Sequence, residues 1–109
     1  MLLRCCFAAL LACMTTAWAL ALDYPTRTVR IVLPFAPGGV PDIIARIVTP
    51  RMAESLGQSF VIDNKPGAGG GLAGQLLAQA TNDGYTLLCG TVSTLSIVPA
   101  INPSLKYDP

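Results

Sequence analysis

The chain has 109 residues, 52% of them hydrophobic and 12% charged, with a formal net charge of +1. That length suits one small domain at most. The near-neutral charge excludes a strongly basic nucleic-acid binder and an acidic tail protein. The chain has no His, which excludes His-based triads, His metal sites and the usual pH switch.

The apolar residues are unevenly spread. Residues 1–21 hold 18 hydrophobic residues and one charge, Arg4, and all ten Gly and all nine Pro lie beyond them. Cys5 to Met14 is an apolar run of ten, too short for a bilayer, which needs roughly 20 such residues. This is the pattern of an export signal over residues 1–21, with a cut after Ala21. Ala17-Trp18-Ala19 offers a second cleavage pattern, and an uncleaved anchor or lipid attachment at Cys13 are the alternatives. Cys5, Cys6 and Cys13 leave with the signal. Only Cys89 then remains, so no internal disulfide is expected. It reads as a small buried hydrophobe.

The rest alternates strand and helix signals. Thr28 to Pro34 is a strand interrupted by Arg30, with Ile31-Val32-Leu33 as its buried end. Phe35-Ala36-Pro37-Gly38-Gly39 breaks it. Ile43, Ile44, Ile47, Val48, Met52 and Leu56 then recur at helical spacing. Pro41 fits the first turn of that helix, and Asp42 suits its positive end. Pro50 is expected to kink or restart the helix, with Thr49 as a new cap, and Gly57 to end it. Arg46 and Arg51 read as solubilising.

A second unit follows. Ser59 to Asp63 is a strand, 64–71 a Gly-rich loop, and Leu72, Leu76, Leu77 and Ala80 mark a helix. Lys65 reads as a solvated cation. Thr81-Asn82-Asp83-Gly84 is a turn, Tyr85 to Cys89 a third strand, and Thr94 to Ala100 a short helix stopped by Pro99 and Pro103. The alternation predicts an α/β fold of parallel strands, with the first strand between the other two. Ligands in such sheets bind beyond the carboxyl ends of the strands. The Gly-containing loops 35–39, 64–71 and 90–93 all fall there.

Glycine loops and a helix N-terminus together make a site for a carboxylate or phosphate without Lys or Arg. A tight strand-to-helix turn explains Gly38-Gly39 equally well. Asp42 would repel an anion directly, so it reads as a structural group or one acting through water. Gly69-x-Gly71-x-x-Gly74 matches the dinucleotide fingerprint. However, five residues separate it from the strand end at Asp63, and no acidic residue ends a strand about 20 positions on. The carboxylates are scattered, and Ser93 and Ser96 lack a nucleophile context. A protein without chemistry or cofactor of its own is expected; an enzyme or nucleotide module on the same units is the alternative.

Four motifs carry a resemblance. Tyr24-Pro25-x-Arg27-x-Val29-Arg30-Ile31-Val32-x-Pro34-Phe35-x-Pro37-Gly38-Gly39-x-x-Asp42-x-x-Ala45-Arg46 resembles the start of the Bug-type extracytoplasmic solute receptors, the binding proteins of tripartite tricarboxylate transporters. Leu56-Gly57-Gln58 with Asn64-Lys65-Pro66-Gly67-Ala68-Gly69-Gly70 is similar to their second signature. Asp83-Gly84-Tyr85-Thr86-Leu87-Leu88-x-Gly90 and Tyr107-Asp108-Pro109 are similar to the next two. Lys65 stands where Arg is usual, Ala73-Gly74 exchanges a usual order, and Asn82 replaces a common Pro.

The resemblance implies a two-domain periplasmic binding protein of type II, exported and monomeric at full length. It would bind a small carboxylate and pass it to membrane subunits of a tripartite transporter, without nucleic acid. The implied ligand set is Phe35, Ala36, Pro37, Gly38, Gly39, Asp42, Gly70, Thr91 and Ser93. Relatives continue past the point matching Pro109. Residues 22–109 are therefore expected to be a partial N-terminal domain that binds poorly alone.

Overall fold

The computed structural model describes residues 24–109. The expected signal, its cleavage sites, Cys5, Cys6 and Cys13 lie outside the described residues.

The first strand, β1 (Val29–Leu33), is buried except at Arg30. It runs between β2 (Phe60–Asn64) and β3 (Thr86–Leu88), parallel to both. This is the expected order. β2 begins one residue later than the sequence suggests, and β3 is shorter. Backbone bonds extend the ladder past both ends of β3: Arg30 donates to Tyr85 at 2.8 Å and Cys89 to Val32 at 2.9 Å. Cys89 is half-buried. Central position explains why β1 is the most apolar strand and supplies most of the core, with Val29, Val32 and Leu33 fully enclosed.

The chain steps from β1 to β2 on one side, then back across β1 to β3. Right-handed crossovers therefore place the two connecting helices on opposite faces of the sheet. The first, α1 (Val40–Leu56), has Pro41 in its opening turn and ends at Gly57. Gly57 is left-handed, φ 69°, and its N–H donates to the Ala53 carbonyl at 2.9 Å. The helix does not restart at Pro50, and Thr49 is buried inside it rather than capping a new one. Pro50 removes only one bond of the ladder. Its ring is exposed, and buried or half-buried positions continue in helical phase through Asp42, Ala45, Thr49, Met52 and Ala53.

That phase also corrects the reading of the face. Ile43, Ile44 and Ile47 are 51%, 55% and 67% exposed, so the apolar ridge is turned away from the sheet among the described residues. Small and polar residues make the contact with β2.

After β2 a single tight turn, Ala68–Gly70, leads into α2 (Gly71–Gln79). Ala73 is fully buried, and Gly74 lies under the ring of Tyr107: a β-carbon there would sit 2.4 Å from the ring. The exchanged Ala73-Gly74 order thus makes room for Tyr107, whose hydroxyl donates to the Thr94 carbonyl at 2.6 Å. After β3, a π-helical stretch over Ser93–Ile97 runs directly into α3 (Val98–Ile101). Pro99 does not stop this helix. It lies in the first turn of α3, where its missing N–H costs little.

The amino-terminal segment closes the opposite end of the sheet. Tyr24 donates to the Gly84 carbonyl and packs edge-on against Tyr85, centroids 5.1 Å apart. Arg27 lies 3.9 Å over the Tyr85 ring and pairs with Asp83 at 2.7 Å.

Candidate functional site

The chain reverses its direction of travel across the sheet between β1 and β3. In open parallel sheets that reversal leaves a crevice beyond the carboxyl ends, where ligands bind. The loops at this crevice are 34–39 and 89–93. The end of β1 is held on both sides, by Cys89 donating to Val32 and by Lys65 donating to Leu33 at 2.7 Å.

Gly38 takes φ +92°, which favours glycine, and Gly39 caps α1 in an extended conformation. No side chain caps the helix. Ala36, Pro37, Gly38 and Gly39 are exposed and Phe35 is half-buried. The first turn of α1 therefore presents its N–H groups and positive pole next to the crevice.

Asp42 faces the other way. It is 3% exposed. One carboxylate oxygen accepts from the Gly38 N–H at 3.0 Å and from Arg46 at 2.8 Å; the other accepts from Asn64 at 3.0 Å. The Arg46 hydrogen bond, then those of Gly38 and Asn64, hold its pKa far below the usual carboxylate range despite burial. With its partners all within the chain, Asp42 shapes the loop. Arg46, read as merely solubilising, is its ion partner four residues on. Lys65, read as solvated, pairs with Asp63 at 3.2 Å, which also holds Arg30.

The depressed Asp42 pKa has a consequence for pH. A carboxylate with a folded pKa below its unfolded one stabilises the fold above about pH 4. That contribution is lost only as pH falls through the lower, folded value. The Asp42 carboxyl carbon shift is expected to titrate well below the ordinary midpoint of about 3.9. A midpoint at that ordinary value would show the tether to be absent in solution.

Gly70 is where all three loops meet. It is buried with φ +98°, and a β-carbon on it would lie 2.6 Å from the Thr94 hydroxyl and 3.1 Å from Pro34. Its N–H is committed to the Gly67 carbonyl at 2.9 Å. Gly70 is thus a packing joint, and its amide is not free for a ligand. Ser93 donates to the Gly69 carbonyl at 2.6 Å, and Thr91 shares a hydroxyl contact of 3.1 Å with buried Thr94. Ser93 so holds the third loop onto the second, and Thr91 braces the third loop on itself, beside the crevice. Among the described residues no cluster of side chains suits a metal ion, and no helix is long and apolar enough to cross a membrane.

Residues 44–109 match the family model described as tripartite tricarboxylate transporter family receptor. The chain belongs to this family. A UPF0065 protein of Bordetella pertussis is 44% identical over 94 residues, 86% of this chain and 29% of its own. A solved structure described as a periplasmic transporter is 53% identical with a TM-score of 0.76, covering 79% of this chain and 29% of that one. MatC from Rhodopseudomonas palustris, solved with bound malate, is 46% identical with a TM-score of 0.73 over the same shares. The chain spans about three tenths of the length of these proteins.

The family motifs gather in space. Tyr24 and Arg27 of the first meet Asp83, Gly84 and Tyr85 of the third at one end of the sheet. Phe35 and Asp42 of the first meet Asn64 of the second at the other. Sequence reasoning misses Asn64 as a site residue. The available signal is an amide side chain ending an apolar strand; its register with Leu33 is visible only in the fold.

Proposed function

We propose that this receptor chain supplies one wall of a periplasmic binding site for a small carboxylate. The receptor would deliver its ligand to the membrane subunits of a tripartite transporter and do no chemistry of its own. The observation that carries the reading is the uncapped, exposed amino terminus of α1 beside the β1–β3 crevice. Its N–H groups and dipole favour an anion, and Gly38-Gly39 let a carboxylate approach the backbone closely. Thr91 and Ser93 flank the same crevice. Malate in the MatC relative is a ligand of the right class.

The test is a titration of the isotope-labelled chain with malate, followed by amide shifts. Shifts are expected at residues 36–43 and 90–94. Gly39→Val is the informative variant. At Gly39 φ is −75°, and an added β-carbon meets only ordinary contacts at 3.7 and 3.8 Å. The fold should therefore survive while the branched side chain covers the anion's approach. Affinity is expected to fall at least about tenfold, or about 1.4 kcal/mol. Unchanged affinity would reduce the loop to a turn. Shifts produced by a nucleotide, with carboxylates silent, would overturn the reading.

A further inference from the structure

The strand end at Asn64 connects two parts of the ligand loop that no backbone bond joins. Its side-chain amide donates to the Phe35 carbonyl at 3.1 Å and to the Asp42 carboxylate at 3.0 Å. Both partners are acceptors, which fixes the orientation of the amide. Phe35 opens the loop after β1. Asp42 closes it, in the first turn of α1, and also holds the Gly38 N–H. Asn64 therefore spans the loop from first residue to last, working from the neighbouring strand.

We infer that Asn64 is a positioning residue of the carboxylate site, setting the spacing between the β1 loop and the α1 amino terminus by bridging Phe35 and Asp42. This rests on the proposed site above. Asn64 touches no ligand in this scheme and acts through the loop. The chemistry is specific to a side chain with two donors. Asp offers no donor when ionised, Ser only one, and Leu none. The other charged groups in the neighbourhood are accounted for. Arg46 of α1 is on the Asp42 carboxylate, and Lys65 and Arg30 are both on Asp63.

The experiment compares the full chain with Asn64→Asp and Asn64→Ser. The first readout needs no ligand: hydrogen exchange of the Gly38 amide, which reports the Asp42 tether. The second is the malate-induced amide shift. In Asn64→Asp two carboxylates would face each other where an amide bridges now, so one is expected to bind its proton more tightly. At neutral pH Gly38 exchange should quicken at least tenfold and malate shifts should weaken. With exchange taken relative to that of a free amide at the same pH, acidification should reverse part of both changes in Asn64→Asp, because the introduced carboxyl regains one donor on protonation. It should do so in neither the parent chain nor Asn64→Ser. A merely structural role would lower stability without that pH-dependent rescue.

The failures are separable. Unchanged Gly38 exchange in both variants would overturn the inference. Quickened exchange with malate shifts intact at parent strength would also overturn it, since the loop would then be set independently of ligand binding. Absence of malate shifts in the parent chain would instead strike the proposed site. If Asn64→Asp unfolds at neutral pH, Asn64→Ser carries the comparison. That substitution replaces a half-buried polar side chain with a smaller one that keeps a single donor.

Discussion

Gly70→Ala is expected to destabilise the chain by roughly 2–5 kcal/mol and to lower the melting temperature by more than about 8 °C. Two effects add. The backbone at Gly70 has φ +98°, and a left-handed conformation costs an L-residue about 1–2 kcal/mol. The new methyl group also has no space. It would lie 2.6 Å from the Thr94 hydroxyl and 3.1 Å from Pro34. Neither neighbour is the free end of a flexible chain. Thr94 is fully buried and held by Thr91, and Pro34 is a fully buried ring. Overpacking of this kind costs about 1–3 kcal/mol. Gly39→Ala is the matched control, since that glycine has ordinary φ and room for a methyl group. A folded Gly70→Ala chain that melts with the parent would show that the three loops do not meet there.

The contrast between these two glycines shows what the sequence can and cannot say. Both lie in Gly-rich loops at the carboxyl ends of strands, and both are candidate ligand contacts by sequence. Composition does not distinguish them. The difference arises from Pro34, Thr94 and Gly67, which reach Gly70 from three segments of the chain. The sheet is legible because β1 is buried on both faces and reads as an apolar run. Its central place follows from the economy of two right-handed crossovers.

The helices are legible by period but not by face. The Ile43, Ile44 and Ile47 ridge gives α1 its phase, yet it lies outward. The buried positions of α1 are residues whose polarity hides them, Asp42 and Thr49, and Asp42 makes a contact with β2 through Asn64. Proline misleads twice. Pro50 removes a single donor inside α1, and a helix already held by tertiary contacts tolerates that loss. Pro99 instead lies in the first turn of α3, where a missing donor costs little. The pairing of Arg46 with Asp42 is visible as a four-residue spacing. The pairing of Lys65 with Asp63, and the bridge from Asn64 to Phe35, depend on strand register, which no local pattern fixes.

Measured on its own, this chain is expected to bind malate and similar acids only weakly, in the millimolar range. The contacts it offers are few and wet. Ala36 to Gly39 are exposed, and the uncapped turn of α1 opens on solvent. An anion at an exposed helix terminus gains about 0.3–1 kcal/mol. Hydrogen bonds from the free N–H groups to a charged ligand add about 1.5–3 kcal/mol each. A few such contacts exceed only the low end of the roughly 4–15 kcal/mol lost on association, and a net gain of about 4 kcal/mol is millimolar binding. Tight sites for small molecules bury most of the ligand surface, and one crevice at a sheet edge does not. The same exposure predicts self-association, because the α1 ridge and the outer edges of β2 and β3 are uncovered among the described residues. Calorimetry with malate and citrate, alongside sedimentation of the same samples, tests both parts. Micromolar binding by a monomeric chain would mean that the site is complete within these residues, and that the one-walled crevice is the wrong picture of it.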